Sequence, residues 1–235
     1  MTKTALVTGA AHRLGKSFAL TLARLEYDVY IHYRSAEEEA RQTQAEIEAL
    51  NRRAILVSAD LAQPSQIVAL LSTFQTLDVL VNSAAFMPKG DVKTLTLDDW
   101  DATLDLNLRA PFLLARECAK KMNSGGLIVN VTDVGAQKAW SRYPSYTVSK
   151  AALESLTKIL ARAFAPKIRV NAIAPGLVLQ SDIVPHRPRR HPHLKPTNLP
   201  AACGLEVITH RFDVPTIDEL GMRLDHVPTG PDELE

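Results

Sequence analysis

The chain has 235 residues, 46% of them hydrophobic, enough for one sizeable α/β core and no argument for two domains. Lys and Arg number 27 against 26 Asp and Glu, a net charge of +1, so no global field recruits nucleic acid or an acidic membrane, and a small-molecule partner is expected. Cys118 and Cys203 stand far apart without metal-ligand spacing, and the opening MTKTALVTGA has no apolar run of signal-peptide or membrane-span length. These features predict a cytoplasmic protein with reduced thiols and no bound metal.

Short aliphatic runs alternate with longer amphipathic stretches along the chain. A strand at Thr4–Val7, a helix over Leu14–Leu25 and a strand at Asp28–Tyr33 form a βαβ opening. There follow a charged helix over Glu37–Leu50, a strand at Ala54–Val57, a helix near Gln66–Phe74 and an apolar strand at Leu77–Val81. Thr96-Leu-Asp-Asp sets a capping hydroxyl ahead of acidic residues, and predicts one long helix from there toward Met122. Leu127–Val131, Ser145–Phe164 and Ile168–Ile173 read as strand, helix and strand. Six strands alternating with helices predict an α/β fold with a doubly wound parallel sheet, because parallel neighbours need crossover helices that cover both faces.

The last quarter is different. From Ser181 to Pro200 there are five prolines, three histidines and four Lys or Arg, which predicts an extended, irregular segment. Gly204–Glu235 is acidic, and only Thr216–Leu224 has the pattern of a short helix.

Between the first strand and its helix lies Thr8-Gly9-Ala10-Ala11-His12-Arg13-Leu14-Gly15. One glycine permits a tight turn, another permits close packing of helix on strand, and free N–H groups at the helix start can hold a pyrophosphate. The usual fingerprint has a third glycine where Arg13 stands. Two glycines alone also suit a plain flexible turn, so the strand–turn–helix context carries the reading. At the end of the second strand, where NAD-preferring sites place an acid, the chain has His32-Tyr33-Arg34-Ser35. Arg34, Ser35 and Arg13 suit a 2′-phosphate and point to NADPH; the plainer alternative is two solvated surface arginines.

Tyr146 and Lys150 lie one helical turn apart and project from one face. The expectation is that the ammonium stabilises a phenolate and lowers the tyrosine pKa from about 10 toward working pH, as a proton donor in hydride transfer requires. An ordinary exposed helix face contains the same pair.

With Thr8–Gly15, Asp60-Leu61, Asn82-Ser83-Ala84-Ala85, Asn107, Tyr146 with Lys150, and Pro175-Gly176, the chain resembles the short-chain dehydrogenase/reductase family over about residues 3–180. The resemblance implies a Rossmann-type domain over residues 1–180, with 181–235 as an irregular segment and tail of the same domain. It implies cofactor contacts from Thr8, Gly9, Arg13, Leu14, Gly15, His32, Arg34, Ser35, Asp60, Leu61, Asn82, Ala84, Lys150, Pro175 and Gly176. It further implies that Tyr146 protonates the substrate, Lys150 bonds the nicotinamide ribose, and Asn107 anchors a water-linked proton relay. A helix-interior amide bonded to nearby backbone is the alternative for Asn107.

Thirteen residues before Tyr146, where most members of the family carry a serine, this chain has Asp133. A carboxylate accepts hydrogen bonds and donates none, so it repels a carbonyl oxygen and favours a substrate edge rich in N–H groups. Pterins have such an edge. With the Thr-Gly-Ala-Ala-x-Arg-Leu-Gly turn and the His-Tyr-Arg-Ser strand end, Asp133 resembles the pteridine and dihydromonapterin reductase branch, which reduces C=N bonds of pterin or folate rings with NADPH. Phe86 then stacks on the flat ring or packs in the core. Thr132 is the alternative hydroxyl, although strand alternation points it to the other face.

The seventh strand usual in the family, near Thr-Gly plus Asp-Gly-Gly, has no counterpart at Thr229-Gly230-Pro231-Asp232-Glu233. A divergent tail, a truncated paralogue and a shifted reading frame all stay open. Loss of that strand exposes a sheet edge and weakens the homodimer or homotetramer contacts the resemblance implies. The functional alternatives are a carbonyl reductase of 3-oxoacyl or sugar-like type, and a cofactor-binding protein inactivated by its altered C-terminus.

Overall fold

The structure is a computed structural model that describes residues 2–175 and 206–208. Its chain order is β1 (Lys3–Val7), α1 (Arg13–Arg24), β2 (Tyr27–Tyr33), α2 (Glu37–Glu48), β3 (Ala54–Ser58), α3 (Pro64–Leu71) and β4 (Val79–Asn82). Then come α4 (Leu97–Leu104), a π-helical segment (Asp105–Arg109), α5 (Ala110–Lys121), β5 (Gly126–Val131), α6 (Gly135–Lys138), α7 (Pro144–Phe164), β6 (Ile168–Ala174) and β7 (Glu206–Ile208).

The sheet order is β3-β2-β1-β4-β5-β6-β7, with the first six strands parallel and β7 antiparallel to β6. Every residue of β4 and β5 is buried, as expected of strands covered on both faces. Alternation divides the core in two. Val7, Val79, Val81, Leu127 and Val129 pack with Phe18 and Leu22 of α1 and Ile47 of α2. Leu6, Leu80 and Ile128 face the other way onto Ile67 and Leu70 of α3, Leu114 of α5 and Leu160 of α7. From β1 the chain steps outward through β2 and β3 and then crosses back to β4 on the other side of β1, so the strand order reverses between β1 and β4, and beyond their carboxyl ends lies the switch point where open α/β sheets bind ligands.

Two elements differ from the sequence expectation. Thr96 does cap a helix, its Oγ1 accepting the Asp99 N–H at 3.1 Å. The single long helix, however, is interrupted over Asp105–Arg109, where the Ala110 N–H reaches back five residues to the Asp105 carbonyl. Pro111 supplies the reason: it has no N–H for the carbonyl four residues earlier, that of Asn107. The other difference is β7, a three-residue strand of Glu, Val and Ile paired in register with Ala172–Ala174, in a stretch read from the sequence as unstructured. The irregular segment expected over 181–200, the helix expected at 216–224 and Gly176 lie outside the described residues.

Candidate active site

The turn after β1 is built from backbone. Gly9 has φ +65°, and a Cβ there would stand 3.0 Å from the Cα of Ala84; a Cβ on Gly15 would strike the Gly9 carbonyl. Both glycines are therefore required by close approach. Thr8 joins the turn to the end of β4, its Oγ1 accepting the N–H groups of Ser83 at 2.9 Å and Ala84 at 3.0 Å and donating to the Val81 carbonyl. His12 precedes α1 without a side-chain capping bond, and the first turn holds no acid, so its N–H groups and dipole are free for an anion. Arg13 and Leu14 open the helix: Leu14 packs on the core, whereas Arg13 is exposed and has φ +54°. At the position of the missing third glycine the chain thus keeps a left-handed backbone and carries a guanidinium. A pyrophosphate fits this cradle.

Arg34 and Ser35 are exposed at the end of β2, free to reach a phosphate. His32 is not. It is buried, with its Nδ1 accepting the Gly9 N–H at 3.1 Å and its Nε2 3.0 Å from the Ala59 carbonyl. Both ring nitrogens are engaged inside the protein, so His32, expected among the cofactor contacts, has no ring nitrogen left to bond the cofactor. Burial lowers its pKa from 6.5 to about 4, against weaker opposing effects of the Ala59 carbonyl and the charge of Asp60. Asp60 itself closes the turn after β3, its Oδ1 accepting the Ala62 N–H at 3.0 Å, with Leu61 buried beside it. Asn82 is also turned inward: its Nδ2 donates to Asn130 Oδ1 at 2.8 Å, and Asn130 donates onward to Thr157 Oγ1 at 2.9 Å. It braces β4 against β5 and α7 behind the crevice.

Asp133 follows β5, and Tyr146 and Lys150 lie on α7. The Tyr146 phenol donates to Asp133 Oδ2 at 2.8 Å, and Asp133 Oδ1 accepts the Gly135 N–H at 2.6 Å. Lys150 Nζ donates to the Val131 carbonyl at 2.6 Å and lies 5.6 Å from the centre of the Tyr146 ring. The three side chains thus lie together. Their electrostatics reverse one expectation. Burial chiefly, then the Asp133 charge and its hydrogen bond, push the Tyr146 phenol above its ordinary value instead of below it. Lys150 is brought down from 10.5 to about 8 by burial, with Asp133 opposing. The resting site therefore keeps tyrosine as a phenol whose proton is held by a carboxylate.

Thr132, the alternative hydroxyl, is buried and donates to the Ile173 carbonyl at 3.1 Å, away from Tyr146, as strand alternation requires. The Pro175 carbonyl accepts the Val134 N–H at 3.5 Å, tying the end of β6 to the loop that carries Asp133. The side-chain amide of Asn107 is fully engaged inside the protein. Its Oδ1 accepts the Phe86 N–H at 2.8 Å, while its Nδ2 donates to the Phe86 carbonyl at 2.9 Å and Ser149 Oγ at 3.0 Å. The amide is committed to fixing the backbone of Phe86 and joining it to α7. Phe86 itself is 40% exposed, so it is not a core residue, and it lies four residues beyond the carboxyl end of β4.

Sequence reasoning did not single out Trp140, whose ring lies against Gly135 so closely that a Cβ there would stand 2.6 Å from Trp140 Cε3. An aromatic three residues before Tyr143, which it meets edge-on at 6.4 Å between centroids, was the available clue. Among the described residues no cluster of three or more His, Cys, Asp or Glu could hold a metal ion, and no helix is long and apolar enough to cross a membrane.

The family model described as enoyl-(acyl carrier protein) reductase, of the short-chain alcohol dehydrogenase type, matches residues 9–188. The chain belongs to the short-chain dehydrogenase/reductase family. It is an oxidoreductase with a Rossmann-type fold. It is similar to the 3-oxoacyl-[acyl-carrier-protein] reductase of Synechocystis, 35% identical over 181 residues that make up 74% of this chain and 73% of the relative. Among solved structures, a metagenomic blue fluorescent protein in complex with NADPH aligns with TM-score 0.73 and 32% identity, covering 76% of each chain. A short-chain dehydrogenase from Burkholderia cenocepacia in complex with NADP aligns with TM-score 0.69 and 39% identity, covering 72% of each chain.

Proposed function

We propose that the chain is an NADPH-dependent reductase acting on a C=N bond of a pterin-like or dihydrofolate-like ring. NADPH is supported by the cradle at α1, by Arg13, Arg34 and Ser35 exposed around it, and by cofactor-bound relatives. When bound, it supplies the hydride to a ring carbon. Thr8, Gly9, Leu14 and Gly15 would shape the pyrophosphate seat, Asp60 and Leu61 would meet the adenine, Ala84 would contact the cofactor, and Lys150 would hold the nicotinamide ribose. Tyr146 donates its proton to the ring nitrogen and Lys150, ammonium at neutral pH, steadies the phenolate that remains.

One observation carries the substrate class: a carboxylate, Asp133, stands 2.8 Å from the tyrosine where a carbonyl-binding site needs a donor. Asp133 can receive two N–H groups of a pyrimidine edge, and a substrate that takes over its Oδ2 releases the Tyr146 proton for transfer. The exposed Phe86 ring, with its backbone held by Asn107, is the surface for the flat ring system.

A second reading, carbonyl reduction of a 3-oxoacyl or sugar-like substrate, is the one the comparisons favour over the pterin, since the curated relatives matched are 3-oxoacyl-[acyl-carrier-protein] reductases. Oxidation of NADPH with dihydrobiopterin or dihydromonapterin, run beside an acetoacetyl thioester, separates the two. Turnover of the pterins is the expected result. Turnover of the thioester alone would replace the first reading with the second.

A further inference from the structure

The structure assigns His32 as a positioning residue for the cofactor turn, acting through the backbone it holds. The imidazole and its own peptide group hold two successive amides of that turn. Nδ1 accepts the Gly9 N–H at 3.1 Å, and the His32 carbonyl accepts the Ala10 N–H at 2.9 Å. On its far side Nε2 lies 3.0 Å from the Ala59 carbonyl, one residue before Asp60. A carbonyl only accepts, so Nε2 must carry the proton, which leaves Nδ1 as the lone pair that Gly9 requires. One tautomer satisfies both bonds and the other satisfies neither.

Three segments that frame the dinucleotide seat therefore converge on one buried ring: the turn after β1, the end of β2 with Arg34 and Ser35, and the end of β3 with Asp60. The third side of the turn is fixed separately, by Thr43 Oγ1 donating to the Ala11 carbonyl at 3.0 Å. Gly9 needs this support because its left-handed backbone brings it against Ala84 with no side chain of its own to hold it there. With Gly9 and Ala10 pinned, the uncapped N–H groups at the start of α1 stay aimed at the pyrophosphate, which costs less ordering on binding.

The assignment makes a specific distinction among substitutions in the full-length protein. Asn at position 32 keeps an acceptor at the δ position for Gly9. Gln reaches the Ala59 side but offers nothing at δ, and Leu keeps only bulk. NADPH and NADH affinities, measured by fluorescence titration without substrate, are expected to weaken about tenfold and by the same factor in His32→Leu and His32→Gln, because the buried Gly9 N–H is left unpaired. His32→Asn is expected to stay within about threefold of the parent protein. Equal affinity in all three variants would overturn the assignment, and so would a loss confined to NADPH, which would return His32 to the 2′-phosphate. If the Leu variant does not fold, the Asn and Gln pair still decides. Nitrogen-15 spectra of the unsubstituted protein provide a second arm: a protonated Nε2 and bare Nδ1 are expected, and the opposite tautomer contradicts the geometry.

Discussion

Acidification is expected to destabilise this protein through His32 in particular. The folded state holds the ring neutral with a pKa of about 4, whereas an unfolded chain takes up the proton near 6.5. The unfolded state therefore binds more protons throughout that interval, so His32 leaves stability intact above about pH 6.5 and erodes it as pH falls toward 4, below which the loss levels off. At pH 4.5 two units of the interval have been crossed, and at 1.36 kcal/mol per unit the loss is about 2.5 kcal/mol. His32→Asn keeps the Gly9 acceptor and cannot titrate. Urea unfolding of both proteins at pH 7 and pH 4.5 isolates the effect, because the carboxylates that also titrate there are common to both. The variant is expected to lose about 2.5 kcal/mol less than the parent on acidification. Identical losses in the two proteins would show that the ring is not held neutral by burial.

Tyr146→Phe is expected to lower turnover at least about a hundredfold with little change in NADPH affinity, since it removes the general acid and leaves the seat of the dinucleotide intact; near-normal turnover in steady-state assays would reassign the proton donor. Arg34→Ala is expected to raise KM for NADPH and leave KM for NADH unchanged, and equal losses with both cofactors would refute a phosphate clamp. Arg13→Gly relieves a left-handed backbone at φ +54° and is expected to stabilise the fold by about 1 kcal/mol in thermal unfolding while weakening NADPH binding. A fall in Tm would show that the Arg13 side chain contributes more to the fold than its backbone costs.

Most of the architecture is legible in the sequence because periodicity reports burial directly. Strands such as Leu127–Val131, buried on both faces, have no polar alternation to misread, and the amphipathic helices between them force parallel pairing. The convergence of Asp133, Tyr146 and Lys150 is legible because thirteen- and four-residue offsets survive any small error in element boundaries. Other features depend on what lies across the fold. The direction of the Tyr146 shift could not be read from a neighbouring lysine, because burial and a carboxylate at 2.8 Å outweigh a cation that is directed at Val131. In the sequence His32 is a polar strand end; only the approach of Gly9 and Ala59, from the turns after β1 and β3, shows that both nitrogens are used. The interruption at Asp105–Arg109 had a local sign in Pro111, but the partner that makes it matter, Phe86, is 21 residues away from Asn107. In β7 three residues are too few for any period to emerge, and its pairing comes from β6.

Selection of the substrate by Asp133 is tested most directly by Asp133→Ser. A serine hydroxyl can donate to a carbonyl oxygen, which the carboxylate cannot, and cannot receive two N–H groups as the carboxylate can. The ratio of kcat/KM for a dihydropterin to kcat/KM for an acetoacetyl thioester is expected to fall at least about a hundredfold in the variant, with NADPH affinity unchanged. An unchanged ratio, or one that moves toward the pterin, contradicts the central claim.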